Sequence, residues 1–275
     1  MTSPYYLFLD FDDTLFLHGK IHKKTLRALY KAKKAGCHIY INSGRSRGNL
    51  MTALKNATDF PFEAYLCGFA CAYLGDNADK PIIRYTLDNE VVSHFIDYCI
   101  KYSYSATIES EEVPEYRMQI DEDVNYTDED YAELSKKAHE FLEGKTPIKV
   151  NCWTQKKTGY FAENIAEENP DLKFIRNSTY YESYNEKYGK GVLMKEFAEK
   201  IGIDFNRCIH FGDSANDANG FEIAPIGVGM KKTPKEVQHL CSYVAKTEFG
   251  VAEYINKVLL KKIKQEKKAL KYSAK

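Results

Sequence analysis

Short apolar runs alternate with helical patterns along the first part of the chain. Residues 5–9 form a continuous apolar run that ends at Asp10, which is typical of a strand buried on both faces of a parallel sheet. Residues 25–35 carry apolar side chains at helical spacing and stop at Gly36, so they predict a helix. Residues 37–41 predict a second strand. Strands and helices in alternation predict a doubly wound α/β domain.

A middle segment of different character interrupts this alternation. In the outer parts of the chain, further strands and helices are predicted at 50–54, 64–67, 192–201, 208–211 and 226–228. In the middle, helices are predicted near 90–102 and 128–142, and strands near 149–153 and 172–175. We therefore predict a Rossmann-like, doubly wound parallel-sheet core formed by residues 1–80 and 186–275. Residues 81–185 would form an α+β domain inserted into that core.

Composition and charge favour an ordinary globular protein. Of the 275 residues, 44% are apolar and 28% are charged, with 39 basic and 39 acidic side chains. The net charge of zero gives no argument for nucleic acid or an anionic membrane as a partner, so neither is expected. No apolar stretch approaches the length of a membrane span. The oligomeric state cannot be predicted from these features.

The seven cysteines are scattered and form no C-x-x-C pair. This pattern suggests neither a zinc site nor a disulfide framework, and it favours a reducing compartment. The N-terminus has no basic flank before its apolar run and therefore does not read as a signal peptide. The expected location is the cytoplasm.

Polar residues follow three of the predicted core strands. Asp10 follows the first strand directly, Ser43 lies just beyond the second, and Asp213 comes after the strand at 208–211. In parallel α/β sheets, ligands bind outside the carboxyl ends of the strands. We therefore expect these three side chains to converge on one site.

The carboxylates of this expected site suggest a divalent cation. Asp10 and Asp12 are two residues apart, so on extended backbone they point to the same side. Asp213 and Asp217 add two more carboxylates. Crowded carboxylates need a cation to neutralise them, and ligation by oxygen alone favours Mg²⁺. Lys190, between two glycines, can bring a positive charge to an anionic group.

Four short motifs occur in order along the chain: Asp10-Phe11-Asp12-Asp13-Thr14-Leu15, Ser43-Gly44-Arg45, Lys190-Gly191 and Gly212-Asp213-Ser214-Ala215-Asn216-Asp217. One such motif alone is weak, because a D-x-D pair is more often a turn or a helix cap than a catalytic site. In this order, the four resemble the motifs of the haloacid dehalogenase superfamily across essentially the whole chain. The insertion resembles the type IIB cap of the Cof-like hydrolases, many of which dephosphorylate sugar phosphates and related metabolites.

The resemblance implies a role for each carboxylate. Asp10 would be the nucleophile that forms an aspartyl-phosphate. Asp12 would protonate the leaving alkoxide and later deprotonate the attacking water. Asp10 and Asp213 would bind Mg²⁺ together with the backbone carbonyl of Asp12. Asp217 would lie near the metal or position Lys190.

The remaining motif residues would bind the substrate. The resemblance implies that Ser43 and Lys190 hold the phosphoryl oxygens, with Gly44 and Asn216 beside them as phosphate-binding residues. Arg45 follows directly and could bind an anionic group of the substrate or of the cap.

The implied function is a Mg²⁺-dependent phosphatase that acts on a small phosphorylated metabolite, with a sugar phosphate favoured. Two alternatives remain open: a hexose phosphomutase of the same superfamily, and a non-catalytic module that binds a phosphorylated metabolite. A bisphosphorylated sugar would separate a mutase from a phosphatase. A binding module usually lacks a catalytic carboxylate, whereas Asp10, Asp12, Asp213 and Asp217 are all present.

Three positions depart from the pattern of the family. Asp13 stands where glycine is usual, so a tight turn must accept a side chain. Cys67-Gly68 replaces an Asn-Gly pair, and Lys231-Lys232-Thr233 replaces Gly-Asn-Ala. These departures affect the expected substrate more than the expected reaction.

Other conspicuous side chains are interpreted as structural. The acidic residues at 109–130 of the insertion predict a solvated face, which disfavours polyanionic substrates. Tyr180, Tyr181, Tyr184 and Tyr188 could stack on a sugar, but packing is the preferred interpretation. His210, within a predicted strand, is interpreted as a core histidine whose hydrogen bonds are satisfied.

Overall fold

The computed structural model describes residues 3–75, 80–110, 115–121, 123–153, 164–176, 180–185 and 187–273. The strands are β1 Tyr6–Leu9, β2 Phe16–Leu17, β3 Lys20–Ile21, β4 His38–Ser43, β5 Ala64–Cys67, β6 Cys71–Leu74, β7 Ile83–Arg84, β8 Ser105–Ser110, β9 Tyr116–Met118, β10 Pro147–Trp153, β11 Leu172–Arg176, β12 Tyr180–Asn185, β13 Cys208–Gly212, β14 Ile226–Gly229 and β15 Tyr243–Val244.

The helices alternate with these strands in the outer parts of the chain. They are α1 Lys23–Ala35, α2 Arg47–Ala57, α3 Asn89–Lys101, α4 Asp128–Leu142, α5 Ile165–Glu168, α6 Lys190–Lys200, α7 Ala218–Ile223, α8 Lys235–Gln238, α9 Gly250–Tyr254 and α10 Leu260–Ser273. A π-helical turn, Ile255–Leu259, joins α9 to α10. Within the described part of the chain, no helix is both long and apolar enough to span a bilayer.

The larger sheet has eight strands in the order β15-β14-β13-β1-β4-β5-β6-β7. The six strands from β15 to β5 are parallel, and β6 and β7 add an antiparallel edge. This arrangement confirms the predicted doubly wound α/β core. Because β1 lies in the middle, its carboxyl end is flanked by those of β4 and β13.

The central strand β1 is buried on both faces, as its apolar run predicted. Leu7 and Leu9 pack into one cluster with side chains of α1, α9 and α10. Phe8 faces the opposite side, where its ring lies 6.0 Å from that of Phe197 on α6. Each fully buried side chain of this size contributes roughly 1.5–3 kcal/mol to folding. The two clusters fix the position of the strand that carries Asp10.

Helix α1 ends where the sequence predicted. Gly36 has a φ of 98°, and its N–H donates to the carbonyl oxygen of Lys33. This left-handed conformation suits glycine and ends the helix. The chain then enters β4, which leads to the site.

A second sheet lies within the segment predicted as an insertion. It is antiparallel, with five strands in the order β11-β12-β10-β8-β9. Helices α3 and α4 cover it, and their apolar side chains share a separate core with Ile108 of β8 and Val150 of β10. We call this unit the cap. Strand β7 pairs with β6, so the core sheet extends slightly past the predicted boundary at residue 80.

Candidate active site

Three strand ends meet at one edge of the core sheet, as predicted. The register pairs Leu9 of β1 with Ile41 of β4 and with Phe211 of β13. The backbone N–H of Asp10 donates to the carbonyl oxygen of Phe211 over 2.9 Å. Asp10 is therefore held next to the turn that carries Asp213.

Lys190 lies at the centre of this group. Its Nζ is 2.6 Å from Oδ1 of Asp10 and 2.7 Å from Oδ1 of Asp217, and the side chain has no exposed surface. Burial lowers the pKa of a lysine, but the two carboxylates outweigh it and raise the pKa of Lys190 above its ordinary value. The lysine is therefore a fixed positive charge beneath Asp10.

The start of α6 places Lys190 by a close contact that requires glycine. Oδ1 of Asn219 accepts hydrogen bonds from the N–H groups of Gly191 (2.8 Å) and Val192 (3.2 Å). A Cβ on Gly191 would lie 2.2 Å from the backbone oxygen of Asn219. The Lys190-Gly191 motif is thus a helix start docked against α7. Asn219, two residues beyond the last motif, was missed by the sequence analysis.

Asp217 uses both oxygens to hold its neighbours. Besides Lys190, Oδ1 accepts from Nε2 of His210 at 3.1 Å, and Oδ2 accepts from the backbone N–H groups of Asp213 (2.9 Å) and Ser214 (3.1 Å). Burial would raise the pKa of Asp217, but Lys190 and His210 hold it below its ordinary value. Of the two roles expected for Asp217, these contacts favour positioning Lys190.

Only one of the two ring nitrogens of His210 has a hydrogen-bond partner among the described residues, whereas the sequence predicted a core histidine with its hydrogen bonds satisfied. It is fully buried, and Nε2 is bonded to Asp217, but Nδ1 has no hydrogen-bond partner among the described residues. Burial lowers the pKa of His210 despite the nearby carboxylate. Its ring also fills the space beside Gly220, so His210 supports the fold around Asp217.

Asp10, Asp213 and Asp217, three of the four carboxylates that the sequence predicted at this site, form an acidic cluster. One carboxylate oxygen from each lies within 4.8 Å of the others. Burial raises the pKa of Asp213 to about 7, with Asp217 adding to the effect, although Thr14 donates to Oδ1 of Asp213 at 2.9 Å. Burial also raises the pKa of Asp10 well above its usual range, against the opposing effect of Lys190. Three carboxyl groups around one buried ammonium suit a divalent cation with oxygen ligands, which would offset the burial that raises these two pKa values.

Asp12 lies outside this cluster and is paired with Arg45. Nε and Nη2 of Arg45 each donate to one oxygen of the Asp12 carboxylate over 2.7 Å. Both side chains are partly exposed, and the guanidinium carbon lies 5.4 Å from the ring centroid of Phe11. Arg45 was expected to bind an anionic group of substrate or cap; here its partner is the Asp12 side chain, two residues from Asp10.

Asp13 takes the turn conformation that favours glycine. Its φ is 52°, and its N–H donates to the carbonyl oxygen of Phe16. Aspartate is one of the few residues that enter this region at modest cost. The tight turn expected at this departure from the family pattern is therefore present, and the extra carboxylate lies on the wall of the site cavity.

Ser43 and Gly44 lie between the core and the cap. The hydroxyl of Ser43 is buried and accepts from the backbone N–H of Arg45 at 3.2 Å. A Cβ on Gly44 would lie 3.0 Å from the ring of Phe69 and 3.2 Å from Oε1 of Glu182. Glycine at this motif position therefore lets the cap approach the core closely.

A cavity of about 810 Å³ separates the carboxylate edge from the cap. From the core it is lined by Asp10, Asp12, Asp13, Gly44, Arg45, Asn49, Asp213, Ser214 and Asn216. From the cap it is lined by Thr107, Glu109, Glu115, Arg117, Gln119, Lys149, Asn151, Trp153, Tyr180 and Glu182. Ser43, Lys190 and Asp217 have almost no exposed surface and are not part of this wall as the described residues form it.

Two polar contacts join the cap to the site. Nζ of Lys149 donates to the backbone oxygen of Gly44 at 2.9 Å and also to Glu182. Nδ2 of Asn216 donates to Oε2 of Glu182 at 3.2 Å. Asn216, predicted to bind phosphate, is therefore bonded to the cap. Lys149 and Glu182 were missed, although the alternation of Lys149 and Asn151 with apolar residues in this strand was a usable signal.

The remaining predictions for the cap have mixed outcomes. Glu109 was expected on a solvated face but is 5% exposed and faces the cavity, because the pairing of β8 with β10 turns it inwards. Tyr184 and Tyr188 pack on Phe69 and Tyr85, as the packing interpretation predicted. Tyr180 instead lines the cavity. The predicted acids Glu111, Glu112 and Glu122 lie outside the described residues.

Comparison with known proteins agrees with this geometry. The family model for haloacid dehalogenase-like hydrolases matches residues 7–255. The chain is 23% identical over 269 residues to the 5-amino-6-(5-phospho-D-ribitylamino)uracil phosphatase YitU of Bacillus subtilis, covering 92% of this chain and 97% of that protein. A phosphoglycolate phosphatase of Methanosarcina mazei is 28% identical over 90 residues, which are 32% of this chain and 40% of that one.

Solved structures show the same fold. A haloacid dehalogenase-like hydrolase from B. subtilis superimposes with a TM-score of 0.75 at 16% identity, covering 92% of this chain and 99% of that one. The subclass IIB sugar phosphatase BT4131 gives a TM-score of 0.73 at 20% identity, covering 92% and 98%. The match of the family model over most of the sequence shows that the chain belongs to the haloacid dehalogenase-like hydrolases, of the Cof-like type.

Proposed function

We propose that this protein is a Mg²⁺-dependent phosphatase that removes phosphate from a small phosphorylated metabolite, a sugar phosphate in particular, through an aspartyl-phosphate on Asp10. The observation that carries the proposal is the contact of Lys190 with Asp10. A buried ammonium fixes one oxygen of a carboxylate at the floor of a cavity large enough for a metabolite. The phosphatases among the relatives support the same reaction class.

Asp10 acts as the nucleophile. Oδ1 is held by Lys190, so Oδ2 attacks phosphorus while the ester P–O bond breaks and the leaving alkoxide departs. The product is an acyl phosphate on Asp10. Water then attacks that phosphorus, the P–O bond to Asp10 breaks, and the carboxylate is restored. Lys190, fixed by Asp217, keeps Asp10 oriented through both steps.

Asp12 acts as general acid and then as general base. In the first step it gives a proton to the leaving alkoxide, and in the second it takes one from water. A guanidinium bonded to both oxygens of the Asp12 carboxylate occupies one lone pair on each and so competes with the substrate for them. Arg45 must therefore turn away from Asp12 before turnover, and the phosphoryl oxygens of the substrate are the anionic group that would attract it.

Asp10 and Asp213, with the backbone carbonyl of Asp12, are the proposed ligands of Mg²⁺. The raised pKa values of both carboxylates support this assignment, since burial and, to a smaller extent, the neighbouring carboxylates disfavour their charged forms, and a bound cation would offset both effects. When bound, the cation neutralises the charge of the phosphoryl group and of the carboxylates around it.

A phosphate-release screen over sugar phosphates, nucleotides and phosphorylated cofactors tests the proposal. We expect release from at least one sugar phosphate in the presence of Mg²⁺ and none from the Asp10→Asn variant. Absence of release from every phosphomonoester, including the activated aryl phosphates, would contradict the proposed function.

A further inference from the structure

A row of polar side chains lies on the cap wall of the cavity. The antiparallel register pairs Glu109 with Lys149 and Thr107 with Asn151, one pair above the other on β8 and β10. All four side chains line the cavity. Residues two apart on a strand share a face, so this row is a continuous polar surface opposite the carboxylate edge.

The hydrogen bonds within this row leave two acceptors unused. Nδ2 of Asn151 donates to Oγ1 of Thr107 at 2.9 Å and to Oε1 of Glu109 at 3.3 Å, and Nζ of Lys149 lies 3.6 Å from the same Oε1. Oε2 of Glu109 and Oδ1 of Asn151 are buried and have no hydrogen-bond partner among the described residues. A buried acceptor left in this state costs about 1–3 kcal/mol.

An amide oxygen and an oxygen of an ionised carboxylate accept hydrogen bonds and cannot donate them. Their partner must therefore supply N–H or O–H groups. Lys149 does not fill the need: two of its three N–H groups are bonded to Glu182 and to the oxygen of Gly44, and its Nζ lies 3.6 Å from Oε1 of Glu109, the oxygen that Asn151 already contacts. The cavity, in contrast, has room for the part of a substrate that extends beyond the phosphate.

The charge of the cap wall indicates whether the substrate group that binds there is neutral or anionic. The described part of this wall carries Glu109, Glu115 and Glu182 against Lys149 and Arg117. Lys149 is already paired with Glu182. A second anionic group on the substrate would therefore meet an excess of negative charge, whereas neutral hydroxyl groups would not.

We propose that Glu109 and Asn151 are specificity-determining residues that accept hydrogen bonds from the hydroxyl groups of a neutral, polyhydroxylated leaving group. The inference rests on the proposed phosphatase function and adds the part of the substrate that the cap selects. A substrate whose leaving group has no hydroxyl groups next to Glu109 and Asn151 leaves the two acceptors unpaired. Its transition state is therefore bound more weakly.

Matched substrates test this selection. We would measure kcat/KM for glucitol 6-phosphate, for 6-phosphogluconate, which carries a carboxylate at its far end, and for phenyl phosphate, which has no distal hydroxyl. The wild-type protein should prefer glucitol 6-phosphate over both. Glu109→Gln replaces one acceptor by a donor, so the ratio of kcat/KM for glucitol 6-phosphate to that for phenyl phosphate should fall about 10- to 100-fold.

Asn151→Leu provides a second, independent variant, since it removes the other acceptor at similar volume. Glu140→Gln is the matched control, because Glu140 is exposed on α4, away from the cavity wall. Circular dichroism would confirm that each variant is folded. If the ratio stays at the wild-type value in the folded Glu109 and Asn151 variants, the inference is wrong. If the wild-type protein releases phosphate neither from these three nor from any other phosphomonoester of the screen, the proposed function is wrong.

Discussion

Arg45 donates two hydrogen bonds of 2.7 Å to Asp12, one to each carboxylate oxygen. Asp12, the residue expected to donate and accept the catalytic proton, is therefore ion-paired with a guanidinium. Asp10, two residues away, is instead held by Lys190. Asp10 and Asp12, two of the three aspartates of the first motif, therefore have different partners, which is the physical basis for giving them different roles.

The first prediction concerns Arg45. If Arg45 leaves Asp12 to bind the phosphoryl group, Arg45→Ala should raise KM, and the inhibition constant of inorganic phosphate should rise with it. Loss of a charged contact to phosphate predicts roughly a 10- to 100-fold change in both. Arg27→Ala, at an exposed position of α1, is the control. A fall in kcat with unchanged phosphate inhibition would mean that Arg45 acts only on Asp12.

The second prediction concerns the buried lysine. Lys190→Met removes the cation between Asp10 and Asp217 and leaves two buried carboxylates facing each other. We expect turnover to vanish and the free energy of unfolding to fall by about 3–5 kcal/mol, since an uncompensated buried charge is costly. Lys195→Met, exposed on the same helix, should leave stability within about 0.5 kcal/mol of the wild type. Denaturant titration and a phosphatase assay check both, and a stable, active Lys190 variant would contradict the assignment.

A third prediction compares two glycines near the second motif. Gly44→Ala would place a methyl group 3.0 Å from Phe69 and 3.2 Å from Glu182, which pushes the cap away from the core. A Cβ on Gly48, in α2, meets no atom within 4 Å. Gly44→Ala should therefore lower kcat/KM, whereas Gly48→Ala should keep activity and add about 0.5–1 kcal/mol of stability. Equal kinetics for the two variants would show that the close contact at Gly44 has no role.

The fourth prediction concerns pH and metal. With metal removed, the pKa of Asp213 is about 7 in the folded protein against an ordinary 3.8. A raised carboxylate pKa means that the folded state takes up a proton as pH falls. The stability linked to Asp213 is therefore greatest below about pH 4 and is lost as pH rises through 7.

Thermal unfolding in chelator should show this directly. The wild type should lose stability relative to Asp213→Asn between pH 5 and pH 8, by an amount on the order of 1 kcal/mol or more. At pH 8, Mg²⁺ at a hundred times its dissociation constant should stabilise the wild type by about 2.7 kcal/mol and the variant by less. Parallel pH profiles for the two proteins in chelator would contradict the account.

The sequence predicted individual strands and helices of both the core and the cap. The strand predicted at 64–67 and the helix predicted at 128–142 match Ala64–Cys67 and Asp128–Leu142, because apolar periodicity and flanking residues decide such elements locally. Asp10, Ser43 and Asp213 lie at one edge of the sheet because parallel strands end there. Apolar periodicity and the order of strands and helices can both be recognised in a single sequence.

The contacts of the cap could not be predicted in the same way. Lys149 meets Glu182 because β10 pairs with β12 in one register out of several, and the sequence does not specify that register. Asn216 meets Glu182 across the cap and the core. The sequence predicted Glu109 on a solvated acidic face, whereas the pairing of β8 with β10 places its side chain on the cavity wall.

The most direct test of the central claim is intact-protein mass spectrometry of the Asp12→Asn variant after reaction with an acyl phosphate and an acid quench. The leaving group of an acyl phosphate needs no proton, so Asp10 can still be phosphorylated, but water activation then lacks its base. The account predicts one added phosphoryl group on the Asp12→Asn protein and none on the Asp10→Asn, Asp12→Asn double variant. An unmodified Asp12→Asn protein that hydrolyses acyl phosphate at the wild-type rate would contradict it.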